Sequence, residues 1–114
     1  MDNSAQDFRK QPPDFNGSMT SARVALETIA KDIALKRQKT EPGNFDQGKW
    51  GSVIMYLRTS GLITKREEEG LVGVYSFISE GAHVAVGMTE EEMVRLSRSL
   101  AASMSYFLVR RYSG

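Results

Sequence analysis

Hydrophobic residues recur at three- and four-residue spacing from Met19 onwards, which is the spacing of one face of an α-helix. The repeating positions of this first stretch are Ala22, Leu26, Ile29 and Ile33. Basic residues follow at its end, where they complement the negative end of a helix dipole, and Pro42 and Gly43 interrupt the pattern. The pattern predicts a first helix over residues 19–38.

Two shorter helical patterns occupy the middle of the chain. The first has apolar residues at positions i, i+3, i+4 and i+7, namely Trp50, Val53, Ile54 and Leu57. Asp46 can cap this helix and Gly61 can end it, with Leu62 placed for the contact that often follows a glycine C-cap. Thr64 and Glu67 then have the spacing of a capping box, which predicts a third helix over about 65–80.

A fourth helical pattern follows a second capping box at Thr89–Glu92. Its predicted buried stripe consists of Met93, Leu96, Leu100, Met104, Phe107 and Leu108. Four amphipathic helices joined by short links predict an all-α fold, most simply a four-helix antiparallel bundle. Residues 1–18 are polar and contain Pro12, Pro13 and Gly17, so they are interpreted as a flexible arm or linker that precedes a domain at 19–114.

Composition narrows the classes of protein that remain. A chain of 114 residues is long enough for one core. It has no cysteine, which excludes disulfides and thiolate metal sites, and its net charge of +1 gives no general attraction to polyanions. No apolar run reaches membrane-spanning length, and the N-terminus lacks signal-peptide regions. We therefore expect a cytoplasmic protein without a membrane partner.

The stretch Ser79–His83 holds the only histidine, next to a carboxylate and a hydroxyl. His83 could take a proton from a ribose hydroxyl, or could simply bond a backbone carbonyl at a helix end. Glu80 could orient the imidazole, and Ser79 could contact a phosphate or cap a local turn. Arg23 could reach across the bundle to supply a cation, or could pair with Glu27 on its own helix. One histidine and one glutamate are too few ligands for zinc, so no metal or cofactor is expected.

Basic residues gather near the predicted helix ends. Four of them could converge into a surface that binds the phosphates of a nucleic acid: Lys65, Arg66, Arg110 and Arg111. Complementation of helix dipoles explains the same positions without any ligand.

The chain also resembles a known family. Ala22–Glu27, Leu57–Thr64 and the element Ser79–His83 before the last helix are similar to HEPN-like helical domains, including abortive-infection C-terminal domains and related prokaryotic domains. The resemblance covers roughly residues 19–112. It implies an all-α bundle that dimerises and acts as a metal-independent ribonuclease, a nucleotide-binding module or a partner domain in prokaryotic defence and toxin systems.

His83 matches the family histidine, and Ser79 stands where asparagine is common. The positions of the family arginine carry Ile78 or Tyr75 instead. The leading interpretation is therefore a HEPN-like dimerisation or interaction module with a degenerate catalytic set. Such a module would form a homodimer, could bind RNA or a nucleotide, and could belong to a larger protein or operon. A non-standard ribonuclease that uses His83 is the first alternative.

A second alternative comes from the centre of the chain. Leu57–Ile63 resembles the end of a recognition helix in winged-helix DNA-binding domains, which leads into a β-hairpin wing. This interpretation would make Val72–Phe77 strand residues and would place Lys65 and Arg66 at DNA phosphates. The acidic run Glu67–Glu69 opposes it, because negative charge on a wing would repel DNA.

Overall fold

The computed structural model describes residues 15–79, Val84 and residues 87–114. These residues form four helices and no strand: α1 Phe15–Gln38, α2 Trp50–Thr59, α3 Lys65–Ser79 and α4 Glu90–Ser113. The all-α four-helix fold predicted from the hydrophobic spacing is confirmed. The segment proposed as the strands of a winged helix lies within α3, so the hairpin of that alternative is not formed.

The first two helices run in the same direction. Near the start of α2, Trp50 and Val53 line one cavity together with Glu27 of α1. Beyond the end of α2, Ser60 accepts a hydrogen bond from Arg37, near the end of α1. The link at 39–49 therefore returns alongside α1 before α2 begins.

The later helices alternate in direction. Trp50, at the start of α2, stacks on Tyr75 near the end of α3, whereas Arg58 at the end of α2 pairs with Glu68 near the start of α3. Arg111 in the last turn of α4 pairs in turn with Glu67 near the start of α3. The pairs α2–α3 and α3–α4 are thus antiparallel, and the ends of α1, α2 and α4 meet near the start of α3.

Helix α1 has the most extensive packing of the four helices: it contacts each of the other three, and α4 most extensively. The buried faces of these two helices are rich in small residues: Ala22, Ala30, Ala34, Ser97 and Ala101. Small side chains let helix backbones approach closely, because the distance between helix axes depends on the side chains at the contact. Larger side chains fill the remaining core, among them Leu26, Ile54, Leu57, Leu71, Ile78 and Leu108.

The predicted helix starts are correct for α3 and α4. Thr64 and Glu67 form a capping box, in which each side chain bonds the backbone N–H of the other residue. Thr89 and Glu92 form the second one. Gly61 ends α2 in the left-handed region at φ 87°, as expected for a glycine after a helix.

Four details of the prediction were wrong. The bundle is not antiparallel throughout, because α1 and α2 run in the same direction. Helix α1 begins at Phe15, so residues 15–18 belong to it and not to the proposed arm; the rest of the arm, residues 1–14, lies outside the described residues. Asp46 does not cap α2, because its side chain accepts the N–H of Gly48 and the helix begins only at Trp50. Leu96 is not in the core of α4: Ser97 and Ala101 face inward, and 39% of Leu96 is exposed.

None of the described helices combines the length and the apolar character that crossing a membrane would require.

Candidate functional site

Arg23 lies on α1 at the surface that meets α3. Its Nε atom is 3.9 Å from Oε2 of Glu27, one helical turn along. Tyr75 of α3 donates its hydroxyl proton to the same carboxylate oxygen. About a third of each charged side chain is exposed, at 34% for Arg23 and 35% for Glu27. Glu27 therefore joins the arginine of α1 to the tyrosine of α3.

An aromatic stack supports this tyrosine from α2. The rings of Trp50 and Tyr75 have centroids 4.5 Å apart and planes 7° from parallel. We call the set Arg23, Glu27, Trp50 and Tyr75 the tyrosine cluster. Because it draws on α1, α2 and α3, its geometry depends on the packing of three helices.

Burial raises the pKa of the Tyr75 hydroxyl above its ordinary value of 10.0, and the hydrogen bond and negative charge of Glu27 raise it further. The nearby charge of Arg23 acts in the opposite direction. Both main effects favour the neutral phenol. Tyr75 is therefore a hydrogen-bond donor at neutral pH.

Ser79 lies one turn after Tyr75, at the last residue of α3. Its hydroxyl donates to the backbone carbonyl of Tyr75, four residues earlier in the same helix. Arg23, Tyr75 and Ser79 are thus connected, through Glu27, at the end of α3, four residues before His83 in the sequence. Glu80 and His83 themselves lie outside the described residues.

Two nitrogen atoms of the tyrosine cluster lack hydrogen bonds. Nε of Arg23 and Nε1 of Trp50 are buried and have no partner among the described residues. The 3.9 Å separation from Glu27 is an ionic contact but is too long for a hydrogen bond. A buried donor without an acceptor costs free energy, so an added acceptor at either of these two nitrogen atoms would be favourable.

A cavity of about 250 Å³ opens between α1 and the start of α2 beside the cluster. Glu27 and Trp50 line it, together with Val24, Thr28, Lys31, Gln47, Gly48 and Val53. The apolar spacing placed Trp50 on the buried face of the second helix, and Tyr75 was considered only as a residue at the position of the family arginine. The only indication in the sequence of a role beyond packing was the polar atom that each of these aromatic side chains carries.

The four basic residues considered for nucleic acid differ in their surroundings. Arg111 pairs with Glu67, donates to the carbonyl of Leu62 at 3.3 Å and lies over the ring of Phe107 at 5.3 Å. Lys65, Arg66 and Arg110 are exposed at the same end of the bundle. The start of α3 and the end of α4 therefore lie close together, as a shared phosphate-binding surface would require. Arg111, however, is engaged in contacts within the protein.

Two more arginines hold the same end. Arg37 donates to the Ser60 hydroxyl at 2.8 Å and to the Ser60 carbonyl at 2.5 Å. Arg58 pairs with Glu68 at 2.5 Å. We call the region formed by Arg37, Arg58, Arg111 and the segment 60–68 the arginine corner. Arginines from three helices fix the link between α2 and α3 there.

No group of three or more metal-ligating side chains occurs within residues 15–79, Val84 and 87–114. Comparison of the chain with family models, curated proteins and solved structures finds no match.

Proposed function

We propose that this chain is a HEPN-like helical interaction module that acts as a homodimer in a prokaryotic defence or toxin-type system. Its four-helix all-α fold is compatible with the resemblance carried by Leu57–Thr64 and by the element that ends at His83. The module has a degenerate catalytic set, since Tyr75 or Ile78 replaces the family arginine.

The observation that carries this proposal is the exposed apolar surface of α4. Large hydrophobic side chains are exposed along this helix: Leu96, Tyr106, Val109 and Tyr112. Tyr106 is the most exposed of them, at 65%. No charged residue occurs from Ser99 to Val109, which spans about three turns. Tyr106 and Val109 lie within this uncharged segment, and exposed aromatic and apolar side chains are typical of protein–protein contacts.

The homodimer can be tested by sedimentation velocity on the wild type and on Tyr106→Glu. We expect a concentration-dependent dimer for the wild type and a monomer for the variant, because a charge would be buried within the contact. Met55→Glu is the matched control: Met55 is 52% exposed on α2, away from α4, and its substitution should leave the dimer intact. A wild-type monomer at high micromolar concentration would contradict the proposal.

A second candidate function is the metal-independent ribonuclease that uses His83. The connection from Arg23 through Glu27 and Tyr75 to Ser79 supports it, because it brings a cation to the end of α3. An arginine at that place could stabilise the charged phosphate of a transition state. Its partly exposed guanidinium retains donors for such a contact.

The two functions differ in RNA cleavage. If the ribonuclease is correct, wild type should cleave single-stranded RNA without metal, and His83→Ala and Arg23→Ala should each lose at least ~100-fold of the rate. Lys36→Ala is the control, since Lys36 belongs to the same helix and pairs only with Asp32 among the described residues. No cleavage by the wild-type dimer would leave the interaction module as the function.

A further inference from the structure

The exposed side of α4 carries a second regular stripe, separate from the one that enters the core. Six exposed residues recur there at spacings of four, three, four, three and four: Glu92, Leu96, Ser99, Ser103, Tyr106 and Arg110. This is the heptad spacing by which one helix packs along another. We call these residues the outer stripe. They lie away from the inward positions Ser97, Ala101 and Leu108.

The outer stripe is symmetric in size and opposite in charge about its centre. Serines occupy the two middle positions, a large hydrophobic residue lies beyond each serine, and the ends carry Glu92 and Arg110. Small residues in the middle permit close approach of a second helix, and Leu96 and Tyr106 provide area on either side. A negative start and a positive end are complementary only to a helix that runs in the opposite direction.

We propose that two copies of this chain pair through the outer stripes of α4, antiparallel about a twofold axis that passes between Ser99 and Ser103. The occupant of this surface is a second copy because the stripe complements itself. In this arrangement Glu92 meets the partner's Arg110, Leu96 meets the partner's Tyr106, and Ser99 meets the partner's Ser103. An isologous contact of this kind closes with two subunits.

Charge excludes the parallel arrangement. A parallel pair would place Glu92 beside the partner's Glu92 and Arg110 beside the partner's Arg110, and like charges across an interface are unfavourable. The inference rests on the proposed dimer, and it adds which helix forms the contact, in which direction and in which register.

Cysteine cross-linking tests the register, because the chain contains no cysteine of its own. Ser99→Cys and Ser103→Cys proteins of distinguishable mass would be mixed and mildly oxidised. Cα atoms joined by a disulfide lie about 4.4–6.8 Å apart, so the residues that face each other should react first. We expect the mixed Ser99–Ser103 cross-link to exceed the two same-residue cross-links by several-fold.

Ser76→Cys provides the control, since Ser76 is exposed on α3 and should form no rapid cross-link with either protein. Preferential same-residue cross-links would indicate parallel helices and would overturn the inference, as would equal yields with the Ser76 control. A dimer in sedimentation with the wrong cross-links refutes only this arrangement. A monomer refutes the proposed function as well.

A charge test addresses the ends of the stripe. Arg110→Glu places like charges together at both ends of the dimer, and it should weaken dimerisation by about tenfold at low salt. Glu92→Gln in that background should recover part of the loss, because glutamine removes the repulsion while it preserves a capping box.

Arg98→Glu is the matched control, since Arg98 is an exposed arginine of α4 that lies off the outer stripe. It should change the dissociation constant less than Arg110→Glu does. Equal weakening by the two variants, or no recovery with Glu92→Gln, would show that general charge and not the proposed pairing governs association.

Discussion

The two ends of α3 use arginine in different ways. At its start, the arginine corner gives Arg37, Arg58 and Arg111 carboxylate, hydroxyl or carbonyl acceptors. At its end, Arg23 has one long ionic contact among the described residues, and its buried Nε atom has no hydrogen-bond partner among them. The arginines at the start of α3 hold helices together. At the end of α3, the buried Nε donor of Arg23 has no partner among the described residues and lies near a cavity. Residue type alone did not distinguish the arginines that are bonded within the protein from those with donors left for a ligand.

This comparison predicts that Arg37→Ala is the most destabilising of the arginine substitutions. It removes two bonds to Ser60 and leaves a partly buried carbonyl unpaired, so the free energy of unfolding should fall by about 1.5–3 kcal/mol. Urea denaturation measures the change. Arg66→Ala is the control and should cost less than about 0.5 kcal/mol, because Arg66 is exposed. Equal effects of the two would mean that the corner does not stabilise the fold.

The second prediction concerns the backbone inside the arginine corner. Gly61→Ala should lower the free energy of unfolding by about 1–2 kcal/mol, because Gly61 has φ 87° and a side chain disfavours that region. The nearest atom to a new Cβ would be Nη2 of Arg37 at 3.7 Å, an ordinary contact, so the cost comes from the backbone.

The matched control for this change lies in α3. Gly70→Ala places a Cβ in open space on an exposed helical position and should stabilise the protein by about 0.5–1 kcal/mol. Thermal or urea unfolding of both variants gives the comparison. Destabilisation by Gly70→Ala would indicate that α3 does not tolerate ordinary helical side chains.

The third prediction tests the tyrosine cluster through pH. The pKa of Tyr75 is raised in the folded protein, so its contribution to stability is present below the unfolded pKa of 10.0 and is lost as pH rises through the folded value. Wild type should therefore lose stability relative to Tyr75→Phe as the pH rises above 10.0, the pKa of the unfolded tyrosine. The difference between the two unfolding curves isolates this group from the other titrating side chains.

The same variant allows a local measurement. Trp50 is the only tryptophan, so its fluorescence reports on the stack with Tyr75. We expect the fluorescence of Trp50 to change when Tyr75 loses its proton at alkaline pH. Tyr75→Phe should preserve the stack and abolish this change, whereas Tyr106→Phe should leave it in place. If the free energy of unfolding of wild type and of Tyr75→Phe changed in parallel with pH, the raised pKa of Tyr75 would be contradicted.

The smallest expected effect distinguishes the two arginines at the end of α4. Arg111→Lys should cost less than about 1 kcal/mol, because lysine can keep the ion pair with Glu67 but loses the planar contact over Phe107. Arg110→Lys should have no measurable effect on monomer stability, since Arg110 is exposed. A larger loss of stability for Arg110→Lys than for Arg111→Lys would show that Arg110, and not Arg111, is the structural contact.

Much of the fold could be predicted from local pattern. Capping boxes at Thr64 and Thr89 act over three residues, so their sequences were sufficient to place the starts of α3 and α4. The stop at Gly61 is equally local. Helix α2 was less predictable, because Asp46 can cap a helix or form a turn, and the turn with Gly48 was formed instead.

The candidate site was predicted less completely. Sequence analysis paired Arg23 with Glu27 as one possibility, which requires only helical spacing. It did not find Tyr75 or Trp50, because their meeting depends on α2 and α3 crossing α1 at one level. The exposure of Leu96 likewise follows from which side of α4 fits the alanines of α1. Hydrophobicity alone favoured Leu96 over Ser97 for the buried face.

The sequence by itself determined that this chain is all-α, where two of its helices are capped, and that one histidine follows the third. Those features depend on interactions within a few residues. Only the tertiary structure decided that Arg37, Arg58 and Arg111 hold one corner, that Glu27 joins Arg23 to Tyr75, and which stripe of α4 stays outside. Such choices depend on how helix surfaces fit one another, and the spacing of residues along one helix does not contain that information.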